Sequence, residues 1–257
     1  MNKPYAVFLD IDGTLYVHGA VPEENITAIR DARRMGHFVF INTARSHAAI
    51  PDSLMRAISV DGIVAGIGTD LHLGSEQLFL HTLTIGQLKE ITARLMLYTD
   101  ERDVVYEGVD YNLRFRPEYK RDRTFTLRSP KEFDGIYRNA KICKMFVKDG
   151  LTPDEFDYFS KEYTVFTHRT YSEFVPKGFS KAQGMLKMLR AINVPVERCI
   201  CMGDSANDAD MLAAAGISVA MGDAIPEIKQ MCDHVSADAA DAGVGKAIRE
   251  LIPGMKS

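Results

Sequence analysis

Val7-Phe8-Leu9-Asp10-Ile11-Asp12-Gly13-Thr14-Leu15 is the stretch on which the reading of this chain turns. Three consecutive apolar residues suit a strand buried on both faces, and two carboxylates follow at its end with one residue between them. Spacing of i, i+2 sends both side chains off the same side of the strand end, and Gly13 lets the backbone turn tightly there. One carboxylate can then attack while the other manages protons.

Working outward, residues 22–35 carry helical spacing (Ile26, Ile29, Arg33), and Phe38-Val39-Phe40-Ile41 is apolar again. Strand, helix, strand with continuous apolar strands predicts a parallel sheet covered on both faces. The alternation returns near the other end, with strands expected over 199–202, 217–220 and 234–235. Helices are expected over 206–215, 226–231 and 245–252, the second opened by Pro226 and Glu227. The two ends therefore read as halves of one doubly wound α/β sheet. The middle differs: Thr84-Ile85-Gly86-Gln87 is a capping box opening an amphipathic helix, and shorter strand-like runs follow at 104–106, 111–115, 142–147, 165–166 and 173–175. The predicted organisation is a core made of 1–81 and 177–257 with an α/β domain inserted over 82–176.

The bulk numbers exclude several classes. At 257 residues and 46% hydrophobic composition the chain can bury a large core without staples, and its four cysteines lack the dense pairing of a secreted framework. A net charge of -4, spread along the length, offers no basic stripe for nucleic acid. No apolar run reaches eighteen residues, and the first nine residues hold too little apolar length for a signal peptide. A reduced, cytoplasmic protein with a small-molecule partner is expected, with neither nucleic acid nor membrane involved.

Three further segments fall at predicted strand ends, where doubly wound sheets bind ligands. Ile41-Asn42-Thr43-Ala44-Arg45 offers a hydroxyl and a guanidinium fork suited to phosphate oxygens. In Lys177-Gly178-Phe179-Ser180-Lys181-Ala182-Gln183, Ser180 and Gln183 form a capping box, which places Lys181 in the first turn of a helix. A lysine is mildly unfavourable at that positive helix end and makes sense there when an anion is expected. Met202-Gly203-Asp204-Ser205-Ala206-Asn207-Asp208 follows the 199 strand, and its carboxylates are oxygen ligands suited to Mg2+.

The four segments, in this order, resemble the four motifs of haloacid dehalogenase (HAD) superfamily phosphatases, specifically the Cof-type (class IIB) hydrolases. The resemblance extends through Ala220-Met221-Gly222-Asp223-Ala224 and Asp241-Ala242-Gly243-Val244, and class IIB members carry a cap domain where the 82–176 interval falls. It implies a HAD-like Rossmannoid core with an inserted cap that supplies substrate specificity. It also implies a Mg2+-dependent phosphatase of small phosphate esters, sugar phosphates or similar, in which Asp10 attacks phosphorus and forms an aspartyl-phosphate. Asp12 would protonate the leaving alkoxide and later activate water. Thr43, Ala44, Arg45, Lys181 and Asn207 would surround the phosphate or the adjoining substrate. Asp10, Asp204, the backbone carbonyl of Asp12 and, directly or through water, Asp208 would bind the metal, with the Lys181 ammonium across a phosphate-sized gap from the acids. Two departures stand out: Ala44 replaces the usual glycine of Thr-Gly-Arg, and Ala65-Gly66-Ile67-Gly68-Thr69 replaces a commoner Asn-Gly-Ala. The same motifs also fit a phosphomutase or phosphotransferase, and a phosphate-sensing binding module is the alternative from another class.

Other residues have simpler readings. Cys199 and Cys201, two apart on an apolar strand, fit the core better than a zinc site, since no second pair has ligand spacing. His18, close behind the first motif, is as well read as a rim residue as a substrate contact. Asp210 reads as a solvated helix residue, and Arg114, Arg116, Lys120 and Arg121 as solvated charges of the insert.

Overall fold

The computed structural model describes residues 3–96, 103–115 and 123–255. The first eighty residues supply β1 (Ala6–Leu9), α1 (Glu23–Arg34), β2 (Phe38–Asn42), α2 (Asp52–Ala57), β3 (Gly62–Ala65), β4 (Asp70–Leu73) and β5 (Glu76–Leu80). The middle supplies α3 (Ile85–Leu95), β6 (Val104–Gly108), β7 (Asn112–Phe115), β8 (Thr124–Thr126), β9 (Ile142–Lys148), α4 (Pro153–Phe159), β10 (Tyr163–Thr167) and β11 (Tyr171–Pro176). The last part supplies α5 (Lys181–Ala191), β12 (Cys199–Gly203), α6 (Ala209–Ala214), β13 (Ile217–Ala220), α7 (Pro226–Met231), β14 (His234–Val235) and α8 (Gly243–Leu251). Contacts divide the chain into two units: Met1–Ala44, Ile50–Phe79 and Ser180–Ser257 form the first, and Arg45–Ala49 with Leu80–Phe179 the second.

The first unit is built on one eight-stranded sheet, ordered β14-β13-β12-β1-β2-β3-β4-β5. From β14 to β3 all neighbours run parallel, as the apolar, helix-separated strands predict. Beyond β3 the sheet departs from that reading, because β4 pairs antiparallel with β3. The links from β3 through β4 to β5 are only a few residues long, with Gly74 left-handed at the second turn, and a parallel crossover needs a dozen residues or more. Register positions the site: Leu9 stands opposite both Met202 and Ile41, so Asp10, Gly203 and Asn42 leave the sheet at one level. The helix expected over 206–215 divides into a 3-10 turn, Ala206–Asp208, and α6. The Asp208 carboxylate accepts from the Asp204 and Ser205 N–H groups and so anchors that turn.

Val7, Phe8, Val39 and Phe40 are fully buried, and the Phe8 and Phe40 rings stack 4.8 Å apart at the centre of the first core. Cys199 and Cys201 face the same core, their sulfurs 3.5 and 3.1 Å from Met185 Sδ, and burial pushes the Cys201 thiol well above its ordinary range. Asp61 accepts both a bidentate pair from Arg33 and the Val39 N–H, tying α1 to β2.

The second unit carries a six-stranded sheet, ordered β10-β11-β9-β6-β7-β8, antiparallel except for β7 with β8. Its helix α3 opens with the reciprocal Thr84–Gln87 capping box. It owns a separate apolar cluster in which Leu88, Tyr106, Leu113, Phe133 and Phe174 are fully buried. The alternate residues of its strands carry charge: Lys144 is buried against Glu173 and lies 3.0 Å from Glu107. Against the opposing effect of burial, Lys144 and His168 hold the Glu173 carboxyl down to about 2. Arg114 is paired with Asp103, while Arg116, Lys120 and Arg121 lie outside the described residues. Among the described residues no helix is long and apolar enough to cross a membrane.

Because Phe8 fills the centre of the first core, Phe8→Ala is expected to cost ~3–5 kcal/mol of unfolding free energy, measured by urea titration. A loss below about 1 kcal/mol would show that this ring does not organise the sheet.

Candidate active site

The site begins where β1 stops. Asp10 continues the strand pairing by donating its N–H to the Met202 carbonyl at 3.1 Å, so its side chain is held by the sheet and only 4% of the residue is exposed. The chain then curls: Leu15 and Tyr16 both donate to the Ile11 carbonyl, at 3.0 and 2.8 Å, around Gly13 with φ +75°. A methyl group at position 13 would sit 2.6 Å from Asp204 Oδ2, so glycine is required for space as well as for conformation. The same curl directs Thr14 Oγ1 to Asp204 Oδ1 at 3.0 Å. Asp12 stays exposed on the curl, where it bridges with Tyr16, and His18 is exposed beyond it.

Lys181 opens α5, whose N-cap Ser180 accepts from the Gln183 N–H at 3.2 Å. Its ammonium is wholly buried and donates to Asp10 Oδ1 at 2.7 Å, Asp208 Oδ1 at 2.6 Å and Asn207 Oδ1 at 3.2 Å. This differs from the gap expected from sequence. A buried ammonium must satisfy its donors, and the two nearest carboxylates do so directly. The Lys181 carbonyl is fastened in turn by Asn42 Nδ2 at 3.0 Å.

Asp204 and Asp208 come from the β12 end. Carboxylate oxygens of Asp10, Asp204 and Asp208 all lie within 4.8 Å of one another. Asp208 is heavily committed: Oδ1 takes Lys181, while Oδ2 takes the Asp204 and Ser205 N–H groups at 3.1 and 3.2 Å. Burial first, then the negative charge of Asp208, pushes the Asp10 carboxyl up to about 8 in spite of Lys181. The same two causes push Asp204 up to about 6, against the Thr14 hydrogen bond. Burial opposes the charge on Lys181, yet Asp10 and Asp208 carry its ammonium above the ordinary lysine range. Three carboxylates around one cation leave the cluster short of positive charge. Hard oxygen donors in that arrangement fit a divalent ion such as Mg2+.

Thr43 is buried beside this cluster's strands, with its N–H on the Val64 carbonyl at 2.9 Å, and Ala44 is half-buried. Asn207 Oδ1 accepts from both Lys181 and Ser205 Oγ, so it orients the ammonium. Arg45 belongs with the second unit, where its guanidinium donates to the Ala49 carbonyl at 2.9 Å. Thr14, Asn42 and Ser205 are site residues whose roles sequence reasoning did not assign. Each lay inside a motif, but only coordinates show which partner a short polar side chain takes. Asp210 does more than face solvent: its carboxylate accepts the Ala182 N–H at 3.1 Å.

The chain is 27% identical over 266 residues to 5-amino-6-(5-phospho-D-ribitylamino)uracil phosphatase YitU of Bacillus subtilis, covering 97% of this chain and 98% of that one. It is 23% identical over 285 residues to the phosphatase YwpJ of the same organism, covering 96% and 99%. A solved HAD subclass IIB sugar phosphatase, BT4131, shares the fold with a TM-score of 0.79 at 23% identity, covering 96% of this chain and 98% of that one. The model of one family, described as haloacid dehalogenase-like hydrolase, matches residues 7–248. With nearly the whole chain matched and the acid cluster assembled at the strand ends, the protein belongs to the haloacid dehalogenase-like hydrolases.

Proposed function

We propose that this HAD-family phosphatase hydrolyses small phosphorylated metabolites, sugar phosphates or similar, in a Mg2+-dependent reaction through an aspartyl-phosphate on Asp10. The observation that carries the reading is the buried Asp10 carboxylate, hydrogen-bonded by the buried Lys181 ammonium at 2.7 Å inside a cluster of three acids. A carboxylate attacking a phosphate dianion must overcome repulsion, so positioning and positive charge are what this chemistry needs.

The Asp10 oxygen forms a bond to phosphorus as the ester P–O bond breaks. Asp12, exposed two residues along, gives its proton to the leaving alkoxide. It then takes a proton from the water that attacks phosphorus, breaking the bond to Asp10 and releasing orthophosphate. Lys181 keeps Asp10 aimed and offsets charge, while Thr43, Ala44 and Asn207 line the phosphoryl pocket, with Arg45 on the phosphate or the adjoining substrate. Asp10, Asp204, Asp208 and the Asp12 carbonyl would hold Mg2+, which supplies the positive charge that the acid cluster lacks.

In domain terms, 1–81 and 177–257 are read as the catalytic core and 82–176 as an inserted cap that supplies substrate specificity. By their names, two of these proteins are phosphatases of a phosphorylated ribityl compound and of sugar phosphates, which supports sugar phosphates or similar as the substrate class. The protein is read as cytoplasmic.

Asp10→Asn, and separately removal of divalent cations with a chelator, are each expected to lower kcat by at least ~10³-fold in an orthophosphate-release assay without added acceptor. Turnover above a tenth of wild type in either case contradicts the mechanism, and release only with an acceptor alcohol indicates a phosphotransferase.

A pH effect follows from the raised acids. Between about 4 and 8 the folded protein keeps a proton on Asp10 that the unfolded chain has released, and Asp204 adds to this up to about 6. Folded stability in chelator should therefore fall as pH rises from 5 to 8, and Asp10→Asn should remove most of the decline. Thermal melts of the two proteins across that window test the sign, and a wild-type Tm that rises with pH relative to Asp10→Asn contradicts it.

A further inference from the structure

The segment after β3 is strained. Gly66, Ile67 and Gly68 are all left-handed, with φ of 58°, 58° and 85°, and Ile67 is fully buried at ψ 40°. A β-branched residue in that region is an outlier that persists only where the surroundings over-determine it. Here two sides do so. On one side the Thr43 N–H donates to the Val64 carbonyl at 2.9 Å, and the Ile67 N–H donates back to the Thr43 carbonyl at 3.2 Å. On the other, a methyl at Gly68 would stand 2.4 Å from the Ser180 carbonyl oxygen, and one at Gly184 would stand 3.1 Å from the Gly68 Cα and 2.4 Å from Val64 Cγ1. Thr69 Oγ1 closes the arch on the Gly66 carbonyl at 2.8 Å.

We infer that the left-handed arch Gly66–Gly68 is a positioning element that sets the separation between Thr43 and the Lys181 end of α5, and with it the pocket for the transferred phosphoryl group. The inference rests on the roles proposed above for Thr43 and Lys181. Ile67 and Gly68 are buried. They act by letting backbone meet backbone, so that a shift of a few tenths of an ångström at Gly68 reaches Ser180, the residue directly before the ammonium. Ordinary packing would need neither three successive left-handed residues nor a bond to Thr43 from the strained one.

The test pairs Gly68→Ala with Gly74→Ala. Gly74 is also left-handed, at φ 58°, but an added methyl there meets nothing within 4 Å, so it reproduces the backbone penalty without the contact. With Mg2+ present, Gly68→Ala is expected to lower kcat at least ~30-fold and weaken orthophosphate binding, measured by calorimetry, at least ~10-fold. Gly74→Ala should leave both within about twofold while lowering Tm by the backbone penalty alone. Gly184→Ala should likewise lose kcat, and adding Val64→Ala, which removes the nearer obstruction, should restore part of it. If Gly68→Ala lowers Tm but leaves kcat and orthophosphate affinity unchanged, the arch is packing alone and the inference fails. If wild type turns over no ester, the proposed function fails while orthophosphate affinity still tests the arch. A wild-type protein that does neither overturns both.

Discussion

The rest of the site depends on one buried ammonium. Taking the Lys181 charge out of water is costly unless carboxylates meet it in good geometry. Asp10 and Asp208 do so at 2.7 and 2.6 Å, and the surrounding residues serve to keep them there. Asp208 spends its other oxygen on the Asp204 and Ser205 backbone, which fixes the loop, while Asn42 fastens the carbonyl of the lysine itself. Thr14 completes the circuit by gripping Asp204 from the turn that follows Asp10. Apart from the local bonds of Asp208 to its own loop, these links join segments far apart in sequence, so the cluster exists only once the sheet has formed.

The sheet makes this possible through register. Parallel strands with their ends level deliver Asp10, Asn42 and Gly203 to a common edge, and the loops beyond need only short reaches. Burial first, and then the negative charge of Asp208, raises Asp10 and Asp204, and three acids gathered around one ammonium are a donor set that fits a divalent ion.

Much of this was legible in the sequence because periodicity and motif spacing are local. β1, β2, β12, β13 and the Thr84 capping box fall where apolar runs and cap residues put them. The hairpin of β4 and β5 was not anticipated: Asp70, His72, Glu76 and Gln77 dilute its apolar signal, and its place on the sheet is decided by pairing with β3. The carboxylates of Asp10, Asp204 and Asp208 lie together, as the motif order suggests, but the direct grip of Lys181 on Asp10 and Asp208 was not foreseen, since a hydrogen bond between positions 10 and 181 leaves no trace in local spacing. Ile67 offered no warning either, because left-handed geometry at a β-branched residue runs against propensity.

The two apolar clusters, one around Phe8 and Phe40 and the other around Tyr106 and Phe174, bear on how such a protein can diversify. Leu80 and Lys181 bracket about a hundred residues, yet chain-closure entropy grows only logarithmically, by roughly 0.6 kcal/mol for each doubling of length. A segment that brings its own oily interior therefore places little burden on the host sheet. Exchange of the whole insert for an unrelated one of different size, during descent or in the laboratory, should be tolerated far better than a single polar replacement at Phe8.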